Sequence, residues 1–170
     1  MKKLHGVKKM NKRFRKLFRK ATNLDIPIKL SSDFFYFPKK KKITYTILLG
    51  DRADRNFRGF IKNFFGYEID SEFEIFVLSV LHEIGHYSTY DFISEGDKQL
   101  SKEEAVKITN LLREDPQNDE IYSRHFALPL EIIATTWAIN FIEENPKVFS
   151  YLVLQSKRIL EKFYNQNSAE

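Results

Sequence analysis

The chain has 170 residues, 42% hydrophobic and 15% aromatic, with 16 Phe; this length fits one domain with a real core, and a disordered chain would carry far fewer aromatics. It contains no cysteine, which excludes disulfides, Cys-ligated zinc, iron–sulfur clusters and a thiol nucleophile and agrees with a cytoplasmic location. The net charge of +5 conceals an asymmetry: residues 1–42 hold 15 Lys or Arg against Asp25 and Asp33, a net +13, whereas residues 43–170 hold 13 against 21 acids, a net −8.

No apolar run reaches the length of a membrane span, and no apolar stretch follows the basic N-terminus as a signal peptide requires. Residues 1–22 read as a basic amphipathic segment and residues 23–170 as a single domain. Ten basic residues lie between Lys2 and Lys20, while Met10, Phe14, Leu17, Phe18 and Ala21 recur three and four apart, one apolar stripe on a basic helix. Two readings stay open: a patch for nucleic acid or an acidic membrane surface, or a surface helix whose Phe stripe packs on the domain while its lysines are solvated. Because no candidate metal ligand lies there, deletion of residues 1–22 is expected to spare metal binding.

Phe34–Phe37, then Pro38 and four lysines, then Ile43–Leu49 predict a hairpin with a solvated lysine turn. Ile43, Tyr45, Ile47 and Leu49 alternate with Thr44 and Thr46, the pattern of a half-buried strand. Phe57 to Phe65 favours a short helix, and Tyr67–Ile69 a further strand. Ser71 with Glu74 forms a capping box that opens a helix bearing Phe73, Phe76, Val77, Val80 and Ile84. A polar loop is expected from Thr89 to Ser101, where Ser101 with Glu104 would cap a helix reaching about Arg113. A turn at Asp115–Asp119, an apolar helix from Pro129 to Glu144 and a last helix from Pro146 complete the chain.

His82-Glu83-Ile84-Gly85-His86 matches H-E-x-x-H. Residues at i and i+4 share one helix face about 5–6 Å apart at Cβ, so both imidazoles can close on one ion with bonds of ~2.0–2.1 Å. Glu83 lies off the His–His line and can reach a water at the metal without ligating it. The pattern arises by chance in on the order of 1% of chains this long. Gly85 weakens the helix by about 1 kcal/mol relative to Ala, a cost tolerated where another backbone passes close by.

A catalytic zinc takes a third protein ligand. The metzincin extension fails, because Thr89 and Phe92 stand where it needs Gly and His. Asp91 and Asp97 lie in no recognisable motif. Glu131 is the best candidate: it is a lone carboxylate in an apolar helix start, and Ala134, Thr135 and Ala138 on its face let that helix lie close to the histidine helix. His125 is the alternative third ligand.

H-E-x-x-H on one helix and Glu-x-x-Ala on a later one resemble the gluzincins. The Tyr122…Leu128-Pro129-x-Glu131-x-x-Ala134-x-x-Trp137-Ala138 pattern in a short chain is similar to the small zincin-like metallopeptidases of phages and bacterial mobile elements, with the minigluzincin or ImmA/IrrE-type plan. The resemblance covers roughly residues 33–145. It implies an α+β fold, with a small twisted sheet packed on the zinc-binding helix and a mostly helical C-terminal half. It also implies His82, His86 and Glu131 as Zn2+ ligands, Glu83 as catalytic base, and a protein or peptide substrate. Of the residues preceding Glu131, His125 and then Tyr122 are the candidates to stabilise the oxyanion. The competing readings are a nucleic-acid-binding protein with a structural metal and a zincin-like interaction module without catalysis. Glu83 discriminates, since a structural site has no use for an acid beside its first ligand.

Overall fold

Asn23, with a positive φ of 60°, ends the first helix, α1 (Lys2–Thr22), and Arg15 clamps the returning chain through paired 2.9 Å hydrogen bonds to both Asp25 carboxylate oxygens. The computed structural model describes residues 2–32, 34–47, 52–115 and 117–167. The α1 stripe is core: Met10, Phe14, Leu17 and Phe18 are buried, and the Phe14 ring lies 5.0 Å from Tyr45 and 5.2 Å from Phe76. Asn11 adds a polar fastening, since its Oδ1 accepts from the Leu30 amide at 2.9 Å and from the Tyr45 hydroxyl at 2.8 Å. Each such apolar side chain contributes about 1.5–3 kcal/mol on burial, so this helix is an integral part of the folded body.

Three short strands form one mixed sheet in the order β1-β3-β2. The expected hairpin is present: β2 (Phe35–Phe37) runs antiparallel to β3 (Lys42–Tyr45), with Tyr36 opposite Ile43. Its turn is a 3₁₀ segment, Pro38–Lys40, closed by Lys41 at φ 43°, whose amide donates to the Pro38 carbonyl. β1 (Ile28–Leu30), which the sequence pattern does not signal, pairs parallel with β3. β3 ends earlier than expected, at Tyr45, and Leu49 lies outside the described residues. The alternation is also incomplete, because Thr44 and Thr46 are buried like Ile43 and Tyr45; the Thr44 hydroxyl donates to the Phe35 carbonyl (3.4 Å), so its polar atom finds a partner inside the hairpin.

The remainder is helical: α2 (Arg52–Phe65), α3 (Glu72–Thr89), α4 (Glu95–Glu114), α5 (Asp119–Arg124), α6 (Pro129–Glu144) and α7 (Pro146–Asn167). Gly66, at φ 67°, follows α2, and Tyr67–Ile69 forms no strand. The first capping box forms as expected, with Ser71 Oγ accepting from the Glu74 amide and the Glu74 carboxylate accepting from the Ser71 amide, both at 3.2 Å. The second does not. Ser94 caps α4 instead, taking the Asp97 amide at 3.1 Å, which extends the helix backward through the expected loop. Ser101 thereby falls inside α4, buried, where its hydroxyl accepts from the Leu130 amide at 3.3 Å and ties α4 to the start of α6.

α3 is the central element, buried on all sides from Ile75 to His86, as a helix apolar around its circumference must be. It packs against β2, β3, α7 and, most extensively, α6. Gly85 explains the last contact. A Cβ at this position would collide with the Ala134 carbonyl oxygen and sit 3.1 Å from the Ala134 Cα. The small residues of both helices thus let two backbones meet where the candidate ligands stand. Among the described residues, no single helix is long and apolar enough to cross a membrane.

Candidate metal centre

α3 supplies His82 and His86 one turn apart, with ring centroids 4.6 Å apart and planes at 86°. α6 crosses at Gly85 and carries Glu131 in its first turn to meet them. Glu131 Oε2 lies 3.0 Å from His82 Nε2 and 3.4 Å from His86 Nε2. One ligand atom from each of the three residues falls within 4.8 Å of the others.

Two ligands bound to one tetrahedral ion at ~2.0–2.2 Å stand roughly 3.2–3.6 Å apart, so the spacing of the three groups fits a shared metal ion. The donor chemistry fits as well. His82 Nδ1 is taken up by Thr135 Oγ1 at 2.9 Å, which leaves Nε2 as the atom facing the centre, the arrangement that holds a metal-ligating imidazole in one tautomer and orientation.

The charges of the three groups arrange themselves around Glu131. Burial alone would raise its carboxyl, but His86 and His82 pull it well below the usual carboxylate range. His86 is pressed down by burial, yet Glu131 and then Glu83 carry it above its ordinary value. For His82 burial prevails, and its imidazole is held below its ordinary value. His86 and Glu131 therefore form an ion pair.

Glu83 is different. It is buried and belongs to no ion pair or ligand group among the described residues. Burial pushes its carboxyl up to about 8, opposed by the positive charge of His86 and by a hydrogen bond accepted from the Tyr36 amide. It lines an open cleft of about 580 Å³ together with His86, Glu131 and His125.

No protein-family model, curated protein or solved structure matches this chain.

Four residues named from sequence come together: Glu83, His86 and Glu131 line the cleft, and His82 meets Glu131 without lining it. His125 joins them at the rim, partly exposed, with Nε2 3.7 Å from Glu131 Oε1 on the side away from the two histidines' Oε2 contact. It does not belong to the three-residue ligand group. Tyr122 stands on α5 with its ring 6.1 Å from that of Phe126 and is not among the residues lining the cleft.

Sequence reasoning missed three supporting side chains. Thr135 sits one turn beyond Glu131 on the same α6 face, and its spacing was read only as small. Tyr36 of β2 stacks on the His86 ring at 6.4 Å with an interplanar angle of 8°. Phe57 of α2 meets the His82 ring edge-on at 5.3 Å. Nothing in the local sequence around Tyr36 or Phe57 distinguishes them from core aromatics, and only the fold brings them to the histidines.

Proposed function

We propose that this chain is a zinc-dependent metallopeptidase of gluzincin type that hydrolyses peptide bonds of a protein partner. The observation that carries this reading is the division of labour between two buried carboxylates. Glu131 faces both histidines, whereas Glu83 stands beside them, outside the ligand group and open to the cleft. Two imidazoles and one carboxylate on a site with cleft access suit a catalytic zinc, which keeps a position for water. The H-E-x-x-H and Glu-x-x-Ala helices, their close crossing and the α+β plan support the likeness to small zincin-like metallopeptidases.

Zinc held by His82, His86 and Glu131 would supply a Lewis acid that polarises a carbonyl and lowers the pKa of water to near ~7. Glu83 accepts the proton as water oxygen bonds to the peptide carbonyl carbon, then returns it to the amine nitrogen as the C–N bond breaks. The Tyr36 amide holds the Glu83 carboxylate in place through the hydrogen bond it donates. His125, which lines the same cleft, is the candidate donor to the developing oxyanion. Phe34, Phe35, Pro38, Leu128 and Leu130 form apolar walls for substrate side chains. The zincin-like interaction module and the structural metal site are the weaker readings, because neither gives a buried, non-ligating carboxylate beside an open cleft a purpose.

The test uses zinc-loaded protein, a mixed peptide library read by mass spectrometry, and metal analysis. Glu83→Gln is expected to keep zinc and the fold while losing about 10²–10⁴-fold in cleavage. Glu131→Gln is expected to lose zinc affinity and to regain part of its cleavage in excess zinc, which Glu83→Gln does not. Equal cleavage by Glu83→Gln and the parent would remove the enzymatic reading. Parent-like zinc affinity in Glu131→Gln would move the third ligand to His125.

A further inference from the structure

Apart from the Arg15 clamp on Asp25, the outer face of α1 is turned to solvent. Met10, Phe14, Leu17 and Phe18 turn inward, and Lys8, Lys9, Lys12, Arg15, Lys16, Arg19 and Lys20 are exposed around the opposite side. At about 100° per residue these seven, with the half-buried Arg13, cover a continuous arc of roughly 160°. The helix contains no acid. Among the described residues Asp25 alone answers it, pairing with Arg15 at 2.9 Å and reaching Arg19 at 4.0 Å. Among the described residues, Lys8, Lys9, Lys12, Lys16 and Lys20 have no ion-pair partner. None of α1 lines the metal cleft.

We propose that this face is a docking surface for the phosphate backbone of a nucleic-acid duplex, bound without base specificity. A polyanion is the partner that five unpaired ammonium groups along about 18 Å of helix fit. Two observations select among polyanions. A helix that lies on an acidic membrane does so by sinking its apolar face into the interface, and the apolar face of α1 is already spent on the core. A single strand is held by aromatic platforms on which bases stack, and the aromatics of α1, Phe14 and Phe18, are both buried. What remains is charge at helical spacing, which contacts phosphates and reads no sequence. Residues 43–170 carry a net −8, which disfavours a polyanion on that part of the body.

The experiment measures fluorescence anisotropy of the full chain with a random-sequence DNA duplex of about 20 base pairs across a salt titration. Five phosphate contacts predict an affinity loss of several-hundred-fold between about 50 and 200 mM salt. The triple variant Lys12→Gln/Lys16→Gln/Lys20→Gln should bind at least about tenfold more weakly at the low-salt end, with a salt slope shallower by about two to three. Its zinc content and melting temperature should match the parent, since all three side chains are exposed. Lys12→Arg/Lys16→Arg/Lys20→Arg should retain binding, which separates charge from packing. Phosphatidylcholine vesicles with about 30% phosphatidylserine form the competing arm. The proposal is overturned by absence of duplex binding at low salt, by duplex binding that the Gln variant leaves unchanged, or by capture on vesicles without duplex binding.

Discussion

Glu83 and Glu131 carry the same carboxylate into the same buried region, and their neighbours set them to different tasks. Glu131 faces two imidazoles and is held ionised; Glu83 meets mostly desolvation and is pushed up to about 8. That shift has a testable consequence for the metal-free protein. The folded-state pKa of Glu83 lies above its ordinary 4.5, so the folded state binds this proton more tightly than the unfolded one. The resulting stability is complete below about 4.5 and is lost as pH rises through about 8. Glu83→Gln cannot titrate. Melting of the two chelator-treated proteins should therefore diverge with pH, the parent losing on the order of a few kcal/mol relative to Glu83→Gln between about pH 5 and 8. Parallel pH courses would contradict the buried setting of Glu83. Thr135 offers a second check. Thr135→Val keeps the shape but leaves the His82 Nδ1–H without its acceptor, so zinc affinity measured by chelator competition should fall about 10–100-fold. An unchanged affinity would mean that packing alone orients His82.

At the scale of elements, the site is the crossing of α3 and α6, and Gly85 sets the distance. Ala would normally strengthen a helix by about 1 kcal/mol over Gly. Here its Cβ would strike the Ala134 backbone, which cannot yield as a flexible side-chain end could. Gly85→Ala is expected to cost about 1–3 kcal/mol in urea unfolding and to weaken zinc binding by drawing Glu131 away from the histidines. Gly59→Ala in α2 is the control: nothing lies within 4 Å of its added Cβ, so that change should be neutral or stabilising by up to about 1 kcal/mol. If both substitutions stabilise, the two helices do not meet as described. The helix starts show a different lesson. Ser71 and Ser101 each precede a Glu by three residues, yet only Ser71 caps a helix. Ser94 lies upstream with Asp97 at the same spacing, and once α4 begins there Ser101 can no longer be outside it.

For the molecule as a whole, α1 changes what truncation should do. Its lysines look expendable, but its stripe fills the core beside Tyr45 and Phe76, and Asn11 fastens β1 to β3. Removal of residues 1–22 is therefore expected to unfold the protein and to abolish zinc binding with it, in contrast to the expectation from ligand positions alone. Circular dichroism and metal analysis of the truncated chain decide this; a folded, zinc-binding product would show that the α1 packing is dispensable.

Much of the site was written in local order. H-E-x-x-H needs only one helix to bring its two imidazoles onto one face, and helix geometry is set by neighbours three and four residues away. Glu131 was legible because a lone carboxylate in an apolar helix demands a partner, and Pro129 marks where that helix begins. The hairpin, the α3 cap and the last two helices were signalled in the same short-range way. Tertiary structure decided the rest. β1 is three residues long and exists as a strand because β3 lies beside it; Thr135, Tyr36 and Phe57 reach the histidines from α6, β2 and α2. The stripe of α1 showed that this helix has an apolar side, while only the packed core determined that the side is covered and that the basic side remains free. Period and spacing act within a turn or two of chain, whereas burial depends on which distant segments close over a residue, and that is a property of the assembled fold.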